Sequence, residues 1–281
     1  MQLIKNERFD DERAFYSSKE VKLMECSFDG AADGESAFKE SSDIEIEDCF
    51  FNLRYPFWHD KNILIKNSKM TSLCRAAIWY SDSISVQNTD MHGIKALREC
   101  KNVEIINSDI ISTEFGWLSE NIILDSTRAE GEYFMFMSKN INARELSFKG
   151  KYSFQYIENA FFENCDIDTK DAFWHAKNVL VKNCRINGEY LAWYSENITF
   201  ENCIISGTQP LCYCKGLKLI NCEMNGADLS FELSDIYATI TSHVISVKNP
   251  LSGYIELPSV GEIILDNVNS ECEIFVTQHN D

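Results

Sequence analysis

Lys177-Asn178-Val179-Leu180-Val181-Lys182-Asn183-Cys184-Arg185-Ile186-Asn187-Gly188 is followed, 19 residues later, by Glu196-Asn197-Ile198-Thr199-Phe200-Glu201-Asn202-Cys203-Ile204-Ile205-Ser206-Gly207. Working outward, the same opening recurs at Lys101-Asn102-Val103, Glu120-Asn121-Ile122, Lys139-Asn140-Ile141, Glu158-Asn159-Ala160 and Lys215-Gly216-Leu217, all on the same interval. Looser copies begin at Asp43-Ile44, Asn62-Ile63 and Ser83-Ile84, with two extra residues before the last, and Asp235-Ile236 continues the series downstream. Within each copy apolar residues alternate, which is the period of a strand and excludes helical repeats. The unit is too short for a propeller blade and lacks the regular leucines of a horseshoe. What remains is a coil of short parallel strands. The expected fold is all-β: one single-stranded right-handed parallel β-helix of about eleven rungs of 19 residues. A single domain is expected over 1–281, with an N-terminal cap over 1–17, regular rungs over 18–234, and irregular final rungs and a C-terminal cap over 235–281.

In a parallel stack each sequence column becomes a ladder with a step of about 4.8 Å. Ile63/Ile65, Val103/Ile105, Val179/Val181 and Leu217/Leu219 form inward aliphatic columns. Cys26, Cys49, Cys165, Cys184, Cys203 and Cys222 form an inward thiol column, followed by Phe28, Phe51, Met70, Met91, Ile110, Phe148, Ile167, Ile186, Ile205 and Met224. Asn67, Asn88, Asn107, Asn164, Asn183, Asn202 and Asn221 mark a corner, because asparagine tolerates left-handed backbone and stacked amides satisfy one another. Gly93, Gly131, Gly150, Gly188, Gly207 and Gly226 are expected at a second corner for their conformational freedom.

Composition sets the bounds on partners. Hydrophobic residues make up 44% and aromatics 12% of the 281 residues, enough for a packed core. The 44 acidic against 26 basic residues give a net charge of -18, which repels phosphate backbones and anionic lipid, so neither nucleic acid nor membrane is expected as a partner. Met1-Gln2-Leu3-Ile4-Lys5-Asn6-Glu7-Arg8 carries charges where a secretory signal needs an apolar run, so a cytoplasmic location is expected. There the eleven cysteines are expected as reduced thiols.

The chain resembles a bacterial family of uncharacterised, pectin-lyase-like β-helix proteins, a domain of unknown function. The resemblance rests on Asn6-Glu7-Arg8-Phe9, Asp33-Gly34-Glu35-Ser36-Ala37, Asn52-Leu53-Arg54-Tyr55-Pro56-Phe57-Trp58-His59, Gly93-Ile94-Lys95-Ala96-Leu97-Arg98-Glu99 and Ser246-Val247-Lys248-Asn249-Pro250. It implies the pectin-lyase-like solenoid and assigns no activity or catalytic residue.

Candidate sites follow from the columns. Trp58, Trp79, Trp117, Trp174 and Trp193 share one column, two residues after the column of Pro56, Ala77, Ala96, Phe115, Phe134, Ala172 and Leu191. One reading points these rings inward; the other turns them out as stacking platforms for sugars. With the tryptophans inside, Tyr55, His59, Tyr80, Tyr133, Tyr152, Tyr156, Tyr190 and Tyr194 face out as candidate ligand-binding residues, accompanied by Tyr213, His175, Phe57, Phe154 and Phe173. Either parity leaves an aromatic outer stripe, and such surface marks a ligand or partner site.

Arg98 interrupts the tryptophan column. It is expected either as a core arginine paired with Glu99, Glu114 or Glu132, or in a cleft with Lys95, Glu99 and Glu114 as a catalytic set. His59 and His175 lie too many rungs apart to share one site. No cofactor and no metal ligand is assigned. The functional expectation is a binding or scaffold module for a saccharide or protein partner. The alternative is a polysaccharide lyase or glycoside hydrolase centred on Arg98. The final short strands offer one route to a homo-oligomer by pairing between subunits.

Overall fold

The computed structural model describes residues 1–30, 34–266 and 269–277. Asp33 of the family motif, and positions 267–268 and 278–281 of the expected C-terminal cap, lie outside the described residues. Among the described residues every regular element is a strand. The chain divides into two compact units, Met1–Asn142 and Ala143–Asp281, and each is a parallel β-helix.

Among the described residues seven long strands stack in the first unit, from Gln2–Lys5 through Lys61–Lys66 to Glu120–Asp125. Seven stack in the second, from Glu158–Glu163 to Glu271–Val276, with Lys139–Arg144 at the boundary. The chain thus makes about fourteen turns against the eleven expected. The extra turns lie at the ends. Gln2 pairs in parallel with Val21 and Arg8 with Ser27, so residues 2–9 open the ladder where a cap was expected. Val21 then pairs with Ile44, a step of 23 residues that hides the first coil from a fixed-period search. Near the C-terminus Ile236 pairs with Gly253, a step of 17, and Gly253 with Cys272, a step of 19. The register that fades in the sequence is a shortened coil.

One coil shows the plan. Lys61–Lys66 forms the long strand, Asn67 turns the chain at φ 48°, Lys69–Met70 forms a short strand, and the chain returns through Ile78–Trp79. Inward columns are as expected: Ile63, Ile65, Val103, Ile105, Val179 and Val181 are buried, as are Phe28, Phe51, Met70 and Met91. Phe28 and Phe51 stack at 4.7 Å in the first unit, Phe154 and Phe173 at 5.2 Å in the second. Each such side chain contributes about 1.5–3 kcal/mol when fully buried, so these columns dominate stability.

The thiol column has a second task. At the bend after each long strand the Cys26 N–H donates to Cys49 Sγ, the Cys49 N–H to Ser68 Oγ, the Ser68 N–H to Thr89 Oγ1 and the Thr89 N–H to Ser108 Oγ. Hydroxyls therefore replace thiols on intervening rungs. Each side chain also donates back to the carbonyl two residues earlier, as Cys49 does to Glu47 and Ser68 to Lys66. The column satisfies backbone groups of the buried bend internally. Burial pushes the Cys49 thiol up to about 11, which keeps it protonated.

The asparagine corner is present, with Asn67, Asn88 and Asn107 at φ 47–49° and amides linked Asn107 to Asn88 to Asn67 at 2.6 and 3.2 Å. A second amide ladder runs along the asparagines that open each repeat. Asn102, Asn121 and Asn140 are also left-handed, and Asn140 donates to Asn121 and Asn121 to Asn102, both at 2.9 Å.

The glycine column has two causes: Gly207 and Gly226 adopt the positive φ expected of a conformationally free corner, at 128° and 68°, as does Gly188, whereas Gly93 and Gly131 are required for another reason. Gly93 and Gly131 do not adopt positive φ. A Cβ on Gly93 would sit 2.0 Å from the Cys74 carbonyl oxygen, and one on Gly131 2.2 Å from that of Ser112. Close approach of the preceding coil, rather than conformational freedom, demands glycine there.

Candidate functional site

The third side of each coil carries the aromatic residues. In Tyr55-Pro56-Phe57-Trp58-His59-Asp60, Tyr55 and His59 are left-handed, at φ 59° and 60°. A left-handed residue is not an extended step, so counting inside and outside by twos fails across it. Pro56 and Phe57 are both buried, Trp58 lies half-buried on the outside, His59 is exposed and Asp60 is buried. The expectation that Phe57, Phe154 and Phe173 face out is therefore overturned, since all three are fully buried. The tryptophans are the outward rings.

Each indole N–H donates to a carbonyl of the following coil: Trp58 to Ala76 at 2.9 Å, Trp79 to Lys95 at 2.7 Å, and Trp117 to Tyr133 at 2.6 Å in the first unit. Trp174 and Trp193 repeat this in the second, with Tyr190 and Gln209. These bonds lay the rings flat along the coil edge. Trp58 and Trp79 stack at 5.1 Å and 4°, Trp174 and Trp193 at 5.4 Å and 4°.

Arg98 continues the stack. Its guanidinium carbon lies 5.3 Å from the Trp79 ring and 5.4 Å from the Trp117 ring, a double cation–π contact. Its Nε is 3.3 Å from Glu99 Oε1. It is thus an outer, half-buried residue, which excludes the core alternative while keeping the pairing with Glu99 that was among those expected. Lys95 Nζ pairs separately with Glu114 Oε2 at 3.3 Å. The structure brings all four candidate catalytic residues to one edge, as two ion pairs.

The tyrosine and histidine columns stand beside the indoles. His59 stacks on Tyr80 at 5.0 Å, and Tyr55 tilts against Trp58 at 5.2 Å, in the first unit. Tyr133 meets Trp117 edge-on. In the second unit Tyr156, His175, Tyr194 and Tyr213 stack in sequence at 4.7, 5.1 and 4.8 Å. Tyr190 packs edge-on against Trp193, with Lys170 Nζ 5.1 Å from its ring, and Tyr152 is half-buried two coils earlier. Tyr80 and Tyr133 are 38% exposed, Tyr194 44% and Tyr156 47%. Every candidate residue except Arg98 is left-handed, a property that tyrosine, lysine and glutamate do not advertise.

Two further clusters escaped the sequence reading. Asp60 is buried behind the stripe; its Oδ1 accepts from the Ser41 N–H at 2.7 Å, while Oδ2 has no partner among the described residues. Burial pushes its carboxyl up to about 8. Asp90, His92 and Asp109 bring potential metal-ligating atoms within 4.8 Å of one another. Asp109 already accepts from His92 at 2.7 Å and from Arg128, and these hydrogen bonds outweigh its burial and hold its carboxyl below the usual range.

The sequence matches the family described as protein of unknown function (DUF3737) over residues 2–276. No curated protein matches it. Among solved structures it is similar to PfbA, a surface adhesin of Streptococcus pneumoniae, at 10% identity and TM-score 0.41, covering 94% of this chain and 85% of that one. It is also similar to the periplasmic alginate epimerase AlgG, at 10% identity and TM-score 0.33, covering 93% and 77%. A third is the Azotobacter vinelandii mannuronan C-5 epimerase AlgE4 A-module, at 10% identity and TM-score 0.32, covering 99% and 88%. Likeness at this distance says nothing of what this chain binds.

Proposed function

Because the chain belongs to the DUF3737 family, which is described only as of unknown function, kinship assigns it no activity, and we propose from its surface that it is a non-catalytic binding module. Its ligand, a saccharide or a protein partner, engages the aromatic edge that each unit carries by itself. The observation that supports this most is the partial exposure of Tyr80, Tyr133, Tyr156 and Tyr194 beside indoles whose N–H groups are already bonded. The side chains are fixed by stacking, so little entropy is lost on binding, and their outward edges carry hydroxyls. Trp, Tyr and Arg are also the residues that dominate protein interfaces. The enzyme reading draws less support: both cations of the Arg98 set are neutralised by neighbouring carboxylates, and the Arg98 faces are covered by rings.

The test removes rings without disturbing the backbone. Asparagine tolerates left-handed geometry, so Tyr80→Asn and Tyr194→Asn keep the fold. On an array of saccharides the native protein is expected to show saturable binding that one of these variants weakens at least tenfold. Saccharide binding unaffected by both would overturn the assignment to this edge. Absence of saccharide binding, together with loss in the variants of a saturable complex with an isolated protein ligand, selects the protein partner.

A further inference from the structure

We infer that the outer face of the long-strand sheet in the first unit carries a separate binding trough for a neutral saccharide. The left-handed Asn102, Asn121 and Asn140, at φ 53°, 58° and 54°, bend each strand at its second residue and stand up as one wall. Two residues on, Glu104 and Ile123 form the opposite wall. Val103 and Ile122 turn their side chains into the core, at 1% and 0% exposure, so the floor between the walls is backbone. The trough is shallow and open to solvent along its length, with about 390 Å³ of space above its floor. A second concavity of about 280 Å³ lies on the same face beside Asp43, Glu45 and Asn62. The bent backbone makes the depression; the side chains decide its chemistry.

That chemistry suits hydroxyls. The ladder uses one N–H and one lone pair of Asn102 and of Asn121, since Asn102 donates to Asp82 and accepts from Asn121, which in turn accepts from Asn140. An amide has two N–H groups and two lone pairs, so each of these exposed residues keeps one donor and one acceptor for a ligand. They repeat at about 4.8 Å, close to the length of one sugar ring in an extended chain, and over three rungs span roughly 10 Å. An extended peptide, rising about 3.3 Å per residue, falls out of step with them. Ile123, 43% exposed, offers an apolar surface to the C–H face of a ring. The net charge of -18, with Glu104 on the wall, disfavours uronate polymers. A neutral segment of two or three sugars fits these constraints, and its site is independent of the aromatic edge.

The probes are maltotriose, cellotriose, laminaritriose and trigalacturonic acid, titrated into the ¹⁵N-labelled full chain. The expected result is saturable movement of the Asn102, Asn121 and Asn140 side-chain amide signals with at least one neutral trisaccharide and none with trigalacturonate. Ile123→Asp and Asn121→Asp, both surface changes checked by thermal unfolding, are expected to weaken that binding at least tenfold. No movement with any neutral probe, equal movement with trigalacturonate, or unchanged binding in both variants would overturn the trough. Movement confined to the Tyr80 and Tyr194 resonances would also overturn it while supporting the aromatic edge.

Discussion

Asp60 stands where neighbouring coils place Ser41, Ser81, Cys100 and Ser119, and it does part of their work. Its N–H donates to Ser81 Oγ and its Oδ1 accepts from Ser41, but the second oxygen has no place in the ladder. A folded-state value of about 8, well above that of an exposed aspartate, means the folded chain holds a proton the unfolded chain has lost. The stability from that proton is present below the unfolded value, near 4, and is lost as pH rises through the folded one. Asp60→Ser restores the ladder without the carboxyl. Urea unfolding at pH 5 and pH 8 is expected to show a steeper loss for the native chain, with the variant more stable at pH 8 by roughly 1–3 kcal/mol. Equal pH dependence in the two would show that Asp60 is ionised or solvated.

Left-handed residues explain what could and could not be read. Asn67 and Asn107 disclose their geometry by their identity; Tyr80, Glu99, Leu118 and Met137 adopt the same geometry without a signal. The sequence therefore revealed the asparagine corner and the inward columns but not the parity of Trp58 beyond Tyr55. The membership of the aromatic edge was legible, and its orientation was not.

At the level of the coil, stacking distance governs which substitutions are tolerated. A Cβ on Gly188, whose φ is 154°, would lie 1.7 Å from the Thr169 carbonyl oxygen, whereas one on Gly226, at φ 68°, meets nothing within 4 Å. Gly188→Ala is expected to destabilise the second unit by more than about 2 kcal/mol, and Gly226→Ala by about 1 kcal/mol. Thermal unfolding of the two variants checks this, and equal effects would contradict the close-approach argument. Coil length is the other control. Steps of 23 and 17 residues conceal turns that pair as regularly as the rest, because a loop absorbs the difference while the strands keep register. A fixed period finds the repeat and misses its ends.

At the level of the molecule, regular packing accounts for most side chains, and the aromatic edge is where the surface departs from what packing requires. Stacked rings with bonded indoles form a rigid surface, and Lys95, Arg98, Glu99 and Glu114 balance charge along it. A catalyst would need one of these groups released toward a substrate. Binding without turnover is therefore expected. The most direct test incubates the protein with the saccharides it retains on an array and weighs what is recovered by mass spectrometry. Recovery of every glycan at its starting mass is the predicted result. Shortened or unsaturated products, formed by the native chain and abolished by Glu99→Gln or Glu114→Gln, would contradict it.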